Sequence, residues 1–277
     1  MVVQPPTMNP IISPTQALTR ARSKPAAELS GAFQGRLSAL YALSQQNQNL
    51  FVSPLGPVYY AHRHAWLPRF VFFGPHATDD SWRLSFLAGF DHRDLRASRA
   101  LLCVIEQLAA NAGSGHGLNL SFFPLIDVAG HWLGARPRAL DAANWSLSSA
   151  PEINLLEKDA RQRGYHGFIR VEATPPGDDV VSVRMREPAG LAPSPDVELI
   201  SSEDTDPFPV RFERASAGGL ISDGPLTMAN DLSNQPFELT LRVPRAWPDE
   251  IHDRAVVDIL MRFILRYRAF QAYGQHL

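Results

Sequence analysis

The apolar and polar positions divide the chain into short buried runs and a few amphipathic segments. "WRLSFLAGFD" (82–91), "LNLSFFPLID" (118–127), "YHGFIRVEAT" (165–174) and "FELTLRVP" (237–244) are compact apolar runs bounded by turn residues, the signature of buried strands. Between the first two, "LRASRALLCVIEQLAAN" (95–111) places Ala97, Ala100, Leu101, Val104, Ile105 and Leu108 at helical spacing, and "AGSGHG" stops the helix. A second amphipathic run, "WPDEIHDRAVVDILMRFILRYRAFQAY" (247–273), predicts a long C-terminal helix, and residues 26–46 predict another. "SSAPEINLLEKDARQRG" (148–164) predicts a helix with Ser149 as N-cap, Pro151 near the first turn and Glu152 within it. Residues 49–64 and 67–76 read as strands broken by Pro-Gly turns, and 180–187 and 210–215 as further strands. The stretch 128–149 reads as a long irregular loop, of the kind that often lines a site.

Strands alternating with helices predict a three-layer α/β/α sandwich around a mixed, mostly parallel sheet. Residues 1–24 are rich in Pro, Thr, Gln and Ser and read as an extended arm. Residues 25–277 then form one domain, with 174–236 as an irregular insertion. Ligand sites in such sheets lie beyond the carboxyl ends of the strands, which draws attention to the turns after Phe90, Ile126 and Val171.

Composition narrows the picture by exclusion. The 277 residues carry 26 Lys and Arg against 28 Asp and Glu, so no strong field points to nucleic acid or an anionic membrane. No window approaches the roughly 18–20 apolar residues of a membrane span, and the N-terminus lacks the pattern of a signal peptide. A cytoplasmic location is expected. The single Cys103 excludes an intramolecular disulfide and a cysteine zinc cluster, and lies in an apolar helical run as a small core residue. No G-x-S-x-G elbow or Cys-His pairing is legible. His62 and His64 have strand spacing but lack a third ligand nearby, and His116, His131 and His166 show no ligand spacing.

The candidate chemistry begins at "AGFDHRDLRA" (88–97), where Asp91, His92 and Asp94 occupy a strand-to-helix turn. Read in order with "IDVAG", Arg136, "DAANW", "SSAPE", "FIRVEAT" and "TLRVP", this segment resembles the zinc carboxypeptidase superfamily, near its succinylglutamate desuccinylase and aspartoacylase branch. The resemblance covers roughly residues 66–172 and 236–270. The family motif His-x-x-Glu falls, ungapped, on Asp91 and Asp94; sliding by one places its His on His92 and its Glu on Leu95. The third zinc-ligating His falls on Glu172, and the general-base Glu on Arg242. The family's D-L-N-R falls on "DAAN" (141–144), where Asp141 fits but Ala142, Ala143 and Asn144 replace the rest, so its substrate-gripping Arg is absent at that position.

These replacements change the chemistry that the resemblance implies. A hydrolytic zinc needs imidazole-rich ligation and a carboxylate base, whereas Asp and Glu ligands suit Mg²⁺, Ca²⁺ or Mn²⁺ better. A guanidinium stays protonated, so Arg242 is not a base and would repel a metal. Asp91, Asp94 and Glu172, if gathered, need compensation from Arg242, Arg170, Arg93 or a divalent ion. Arg170 and Glu172 are two apart on a strand and face the same way. The expectation is therefore a carboxypeptidase-like protein with a degenerate zinc site and no preferred cofactor, in which Arg242 stands where the metal's charge stood. Such a protein binds a small molecule, a peptide end, an amino-acid derivative or a protein partner in the cleft. One rival is an active hydrolase using Asp91, Asp94 and Glu172 for a divalent Mg, Ca, Mn or Zn ion. Another is a structural or assembly subunit. Plainer readings also stand: Asp94 as a helix cap, Asp91 as a turn-amide acceptor and Glu172 as a solvated strand end.

Overall fold

The computed structural model describes residues 31–134, 140, 148–174, 179–186, 208, 210–214, 232–233 and 236–274. The expected N-terminal arm and most of the expected insertion lie outside these residues. The chain opens with α1 (Gly31–Ser44), then β1 (Leu50–Val52), β2 (Leu55–Tyr60), β3 (Arg63–Leu67) and β4 (Phe70–Phe73). Next come β5 (Trp82–Leu87), α2 (Arg96–Ala110), β6 (Leu118–Phe123), α3 (Val128–Leu133), α4 (Pro151–Arg163) and β7 (Gly167–Ala173). The order closes with β8 (Val181–Arg186), β9 (Val210–Arg214), β10 (Phe237–Val243) and α5 (Asp249–Gly274).

Eight strands form one mixed sheet in the order β1-β4-β6-β5-β7-β10-β8-β9, and β2 and β3 form a separate hairpin. The centre, β6-β5-β7-β10, is parallel. β4 and β8 join it antiparallel, β1 pairs antiparallel with β4, and β9 runs parallel to β8. The parallel strands are buried along nearly their whole length, which is why they read as continuous apolar runs without alternation. From β5 the chain crosses one way along the sheet to β6, then back past β5 to β7. Right-handed crossovers in opposite directions place α2 and α4 on opposite faces. The helix contacts agree: α2 packs on α5 and α1, while α4 and α3 pack against the β2–β3 hairpin. This is the α/β/α sandwich that the sequence predicts.

The helical stripes are the core. Ala100, Leu101, Val104, Ile105 and Leu108 of α2 are fully buried, as are Ala255, Val256, Ile264 and Tyr267 of α5, with Ile259, Leu260 and Phe263 nearly so. Burying each such aliphatic side chain is worth about 1.5–3 kcal/mol. Cys103 lies at the rim of this interface, half-buried, and donates its thiol to the Arg99 carbonyl; burial pushes the thiol up to about 11.

Local expectations are corrected at two places. Part of the stretch read as a long loop is a short helix, α3, because Asp127 Oδ1 accepts from the Gly130 N–H (2.9 Å) and caps it. The N-cap of α4 is Ala150, one residue later than Ser149; Ser148 Oγ accepts from the Ala150 N–H, and Glu152 is buried, accepting from Ala129 N–H on α3.

Candidate functional site

The site grows from the carboxyl ends of β5, β7 and β10. At the end of β5 the chain turns at Gly89 with φ +73°, a conformation that favours glycine. A Cβ there would meet Ser98 Oγ at 2.7 Å, Leu125 Cα at 2.8 Å and the Pro124 carbonyl at 2.9 Å. The Gly89 carbonyl accepts from Asp127 N–H (2.9 Å), tying this turn to the end of β6. The turn from Asp91 to Asp94 closes with an Asp94 N–H to Asp91 carbonyl bond (3.1 Å) and leads into α2.

A cavity of about 190 Å³ opens beside this turn. Its charged wall is Asp91, Asp94, Arg170, Glu172 and Arg245; its apolar wall includes Phe90, Ala97, Leu140, Val171 and Ala173. Four of the residues singled out from sequence thus surround one space, joined by Arg245. Glu172 and Arg242 are register partners on β7 and β10, and Arg242 Nε lies 3.5 Å from Glu172 Oε2. Arg170, on the same side of β7, pairs with Glu172 Oε1, and its guanidinium sits 4.6 Å from the centre of the Phe90 ring, within cation–π range.

Each carboxylate of the cavity faces arginine nitrogens. Asp91 receives both arms of Arg93, Nε to Oδ1 at 2.8 Å and Nη2 to Oδ2 at 2.9 Å, as well as the Arg93 N–H at 3.0 Å. The Arg93 fork holds the Asp91 carboxyl below its usual range. Asp94 divides its oxygens: Oδ1 accepts from the Arg96 N–H (3.1 Å), and Oδ2 takes Arg245 at 2.6 Å. The N-cap position of α2 itself is Leu95, so Asp94 serves the helix start from one residue earlier. Arg96 extends the network by donating to the Arg245 carbonyl and pairing with Asp249 at 3.2 Å; Arg99 joins Asp249 and Asp253.

His92 faces elsewhere. Its Nδ1 lies 2.7 Å from Oδ2 of the fully buried Asp127, and its carbonyl accepts from His131. A Cβ on Gly130 would collide with both the His92 ring and the Asp127 carboxylate, so glycine is required for this pairing. The cavity is therefore lined in the ungapped frame, by Asp91 and Asp94. Arg136 and Asn144 lie outside the described residues.

Sequence reasoning passed over Arg245 and Asp127. Arg245 follows Pro244 at the end of β10, and the strand-end rule that picked out Glu172 applies to it equally. Asp127 precedes an apolar run, the position of a helix cap.

The acids do not offer a ready donor set for a metal. Among the described residues no group of three or more His, Cys, Asp or Glu side chains is placed to hold an ion. Asp91, Asp94 and Glu172 line one cavity, but each is engaged by a different arginine, and among the described residues of its wall there is no imidazole, zinc's preferred donor. The described residues of the wall do not by themselves fit a catalytic zinc. Among the described residues no helix is long and apolar enough to cross a membrane.

Comparison with models of known families finds no match, and no curated protein matches the sequence. Solved structures do match. A metallo-carboxypeptidase from Burkholderia cenocepacia superposes with a TM-score of 0.63 at 14% identity, over 86% of this chain and 69% of that one. A metallo-carboxypeptidase from Pseudomonas aeruginosa, in complex with (2-guanidinoethylmercapto)succinic acid, gives 0.57 at 14% identity, over 84% and 68%. Bovine thrombin-activatable fibrinolysis inhibitor, in complex with tick carboxypeptidase inhibitor, gives 0.59 at 12% identity, over 87% and 97%. At these identities the likeness is one of architecture, and the chain has the zinc carboxypeptidase-like fold.

Proposed function

We propose that this chain is a non-catalytic member of the carboxypeptidase-like fold, binding a ligand in the cleft at the carboxyl ends of β5 and β7. The observation that carries this reading is the pairing of acids with arginines. The three side chains at the ligand positions implied by the resemblance, Asp91, Asp94 and Glu172, are engaged by Arg93, Arg245, Arg170 and Arg242. A divalent ion among them would have to displace these guanidiniums and then sit beside their charge. The position implied for the general base holds Arg242, whose guanidinium has no acceptor for a proton from water. On this reading the described residues supply neither a free donor set for a cation with an open position nor, at Arg242, a base to activate water, the two requirements of metal-assisted amide hydrolysis. What it keeps is a shaped, part-apolar cavity with fixed charges, suited to holding a small molecule or the end of a peptide.

The test is turnover. The purified chain, supplied in turn with Zn²⁺, Mn²⁺, Mg²⁺ and Ca²⁺, is incubated with N-blocked dipeptides and N-acyl amino acids. No hydrolysis above the protein-free rate is expected. Turnover that disappears in an Asp91→Ala, Asp94→Ala double variant would establish the hydrolase instead.

A further inference from the structure

We infer that two copies of this chain pair through the edge strand β1, antiparallel about a two-fold axis at Phe51, so that their sheets join into one. This goes beyond the reading of the cleft and does not depend on it.

The backbone sets the geometry. Among the described residues β1 is the outermost strand of the sheet on its side. It pairs with β4 in the register Leu50 to Phe72, Phe51 to Val71 and Val52 to Phe70. The Phe73 N–H donates to the Asn49 carbonyl (2.8 Å) and the Ser53 N–H to the Arg69 carbonyl (2.9 Å), so Asn49, Phe51 and Ser53 turn their hydrogen-bonding groups toward β4. Leu50 and Val52 therefore turn theirs outward, where no partner meets them among the described residues. Such a row is a template for another strand. About a two-fold axis at Phe51, Leu50 faces Val52 of the second copy and Val52 faces its Leu50, and every outward N–H meets a carbonyl. Phe51 then faces its own copy as the closely spaced pair that exchanges no hydrogen bonds.

Side chains and charge select a second copy as the occupant. Phe51 and Phe73 stand on the sheet face opposite Leu50, 47% and 39% exposed, with ring centres 5.6 Å apart. Pairing about Phe51 joins the phenylalanines of both copies into one aromatic row. Residues 37–62 and 70–78 contain no Asp, Glu, Lys or Arg, in a chain that is 19% charged. A two-fold axis sets each nearby side chain against its own copy, where a like charge would repel. The stretch that carries this axis is neutral, and it offers nothing to a charged partner. The opposite edge of the sheet differs: β9 carries Arg211, Glu213 and Arg214, charges of the kind by which edge strands resist pairing. β1 has no charge, proline or bulge, and Pro54 ends the run soon after it, limiting the pairing to its 3 residues. So short a contact suits a weak, reversible dimer.

The experiment is sedimentation equilibrium of the full chain over a range of concentrations, joined to a cross-linking test of the register. The average mass is expected to rise from monomer toward dimer, with a Kd of about 100 μM. Phe51→Lys sets two ammonium groups against each other at the axis, and Val52→Pro removes an outward N–H while sparing the bonds to β4; each is expected to weaken the dimer about tenfold or more. Leu265→Lys, at an exposed apolar position on α5, is expected to change nothing. Facing residues of a non-hydrogen-bonded pair have Cα atoms about 4.5 Å apart, within the span of a disulfide. Phe51→Cys is therefore expected to give a covalent dimer under mild oxidation, and the unmodified chain, whose Cys103 is half-buried in the α2–α5 interface, is not. A chain that stays monomeric at about 1 mM, whatever other partner its edge then takes, would overturn the inference. Self-association unchanged in folded Phe51→Lys and Val52→Pro variants, or Phe51→Cys that fails to cross-link, would overturn it as well.

Discussion

Two arginine–carboxylate clusters in this molecule use the same chemistry in opposite ways. The first joins the loop before β4 to α4. Arg69 pairs with Asp159, both only 5% exposed, while Asp159 also accepts from the Tyr165 hydroxyl (2.7 Å) and from Arg163 (3.2 Å), and Arg69 donates to the Ser53 carbonyl (2.7 Å). The second is at the cavity, where Arg245 and Arg170 line the wall and remain 41% and 18% exposed, and Arg242, paired with Glu172, is 30% exposed. The buried cluster is closed on itself and holds the fold. The cavity cluster is anchored on one side and open to solvent on the other. The difference teaches that pairing alone does not mark a functional charge; what separates the two clusters is that one is closed on itself and the other reaches solvent.

The largest expected effect breaks the first cluster. Asp159→Ala strands the Arg69 guanidinium in the interior and is expected to cost about 3–5 kcal/mol, read as a shifted denaturant midpoint. The counterpart, Arg245→Gln, is expected to cost about 1 kcal/mol, because its guanidinium is 41% exposed and Asp94 keeps the Arg96 N–H. Equal costs would erase the distinction between the clusters. A middle-sized effect comes from Gly89→Ala, which forces a side chain into positive φ and against the backbone of Leu125 and Pro124. A loss of about 2 kcal/mol or more is expected by the same measurement, together with weakened ligand binding, because Gly89 sets the turn that carries Asp91 and Asp94.

The smallest effect is a pH dependence carried by buried histidines. Burial holds the His252, His131 and His166 imidazoles below their usual range. His252 is fully buried, with neither ring nitrogen hydrogen-bonded among the described residues, close to Asp94, Asp253, Arg96 and Arg99. Such groups take up protons more readily in the unfolded chain. The stability they contribute is complete above the ordinary value near 6.5 and is lost as pH falls through the lowered folded values. The urea midpoint is expected to drop between about pH 7 and pH 5. His252→Leu is expected to flatten that drop without altering the cavity.

Much of the architecture was legible because it is written locally. The parallel strands appear as unbroken apolar runs, and α2 and α5 as stripes at helical spacing, since burial on two faces or one dictates those patterns. The strand-end rule pointed to the turns after Phe90 and Val171, the family resemblance gathered Asp91, Asp94 and Glu172 there, and strand spacing added Arg170. Arg245 could not be paired from sequence, because its partner Asp94 lies 151 residues away and no periodic pattern links them. The helix α3 was hidden for a related reason. Its six residues are too few to show a period, and Gly130 within it argues locally against a helix; only the approach of His92 and Asp127 explains that glycine.

Most directly, the account is tested by elemental analysis of the full chain, purified without chelators and equilibrated with a small excess of Zn²⁺ before desalting. The arginine-filled cleft predicts retained zinc far below one equivalent, unchanged by Asp94→Asn. One tightly held equivalent, lost in that variant, would contradict it.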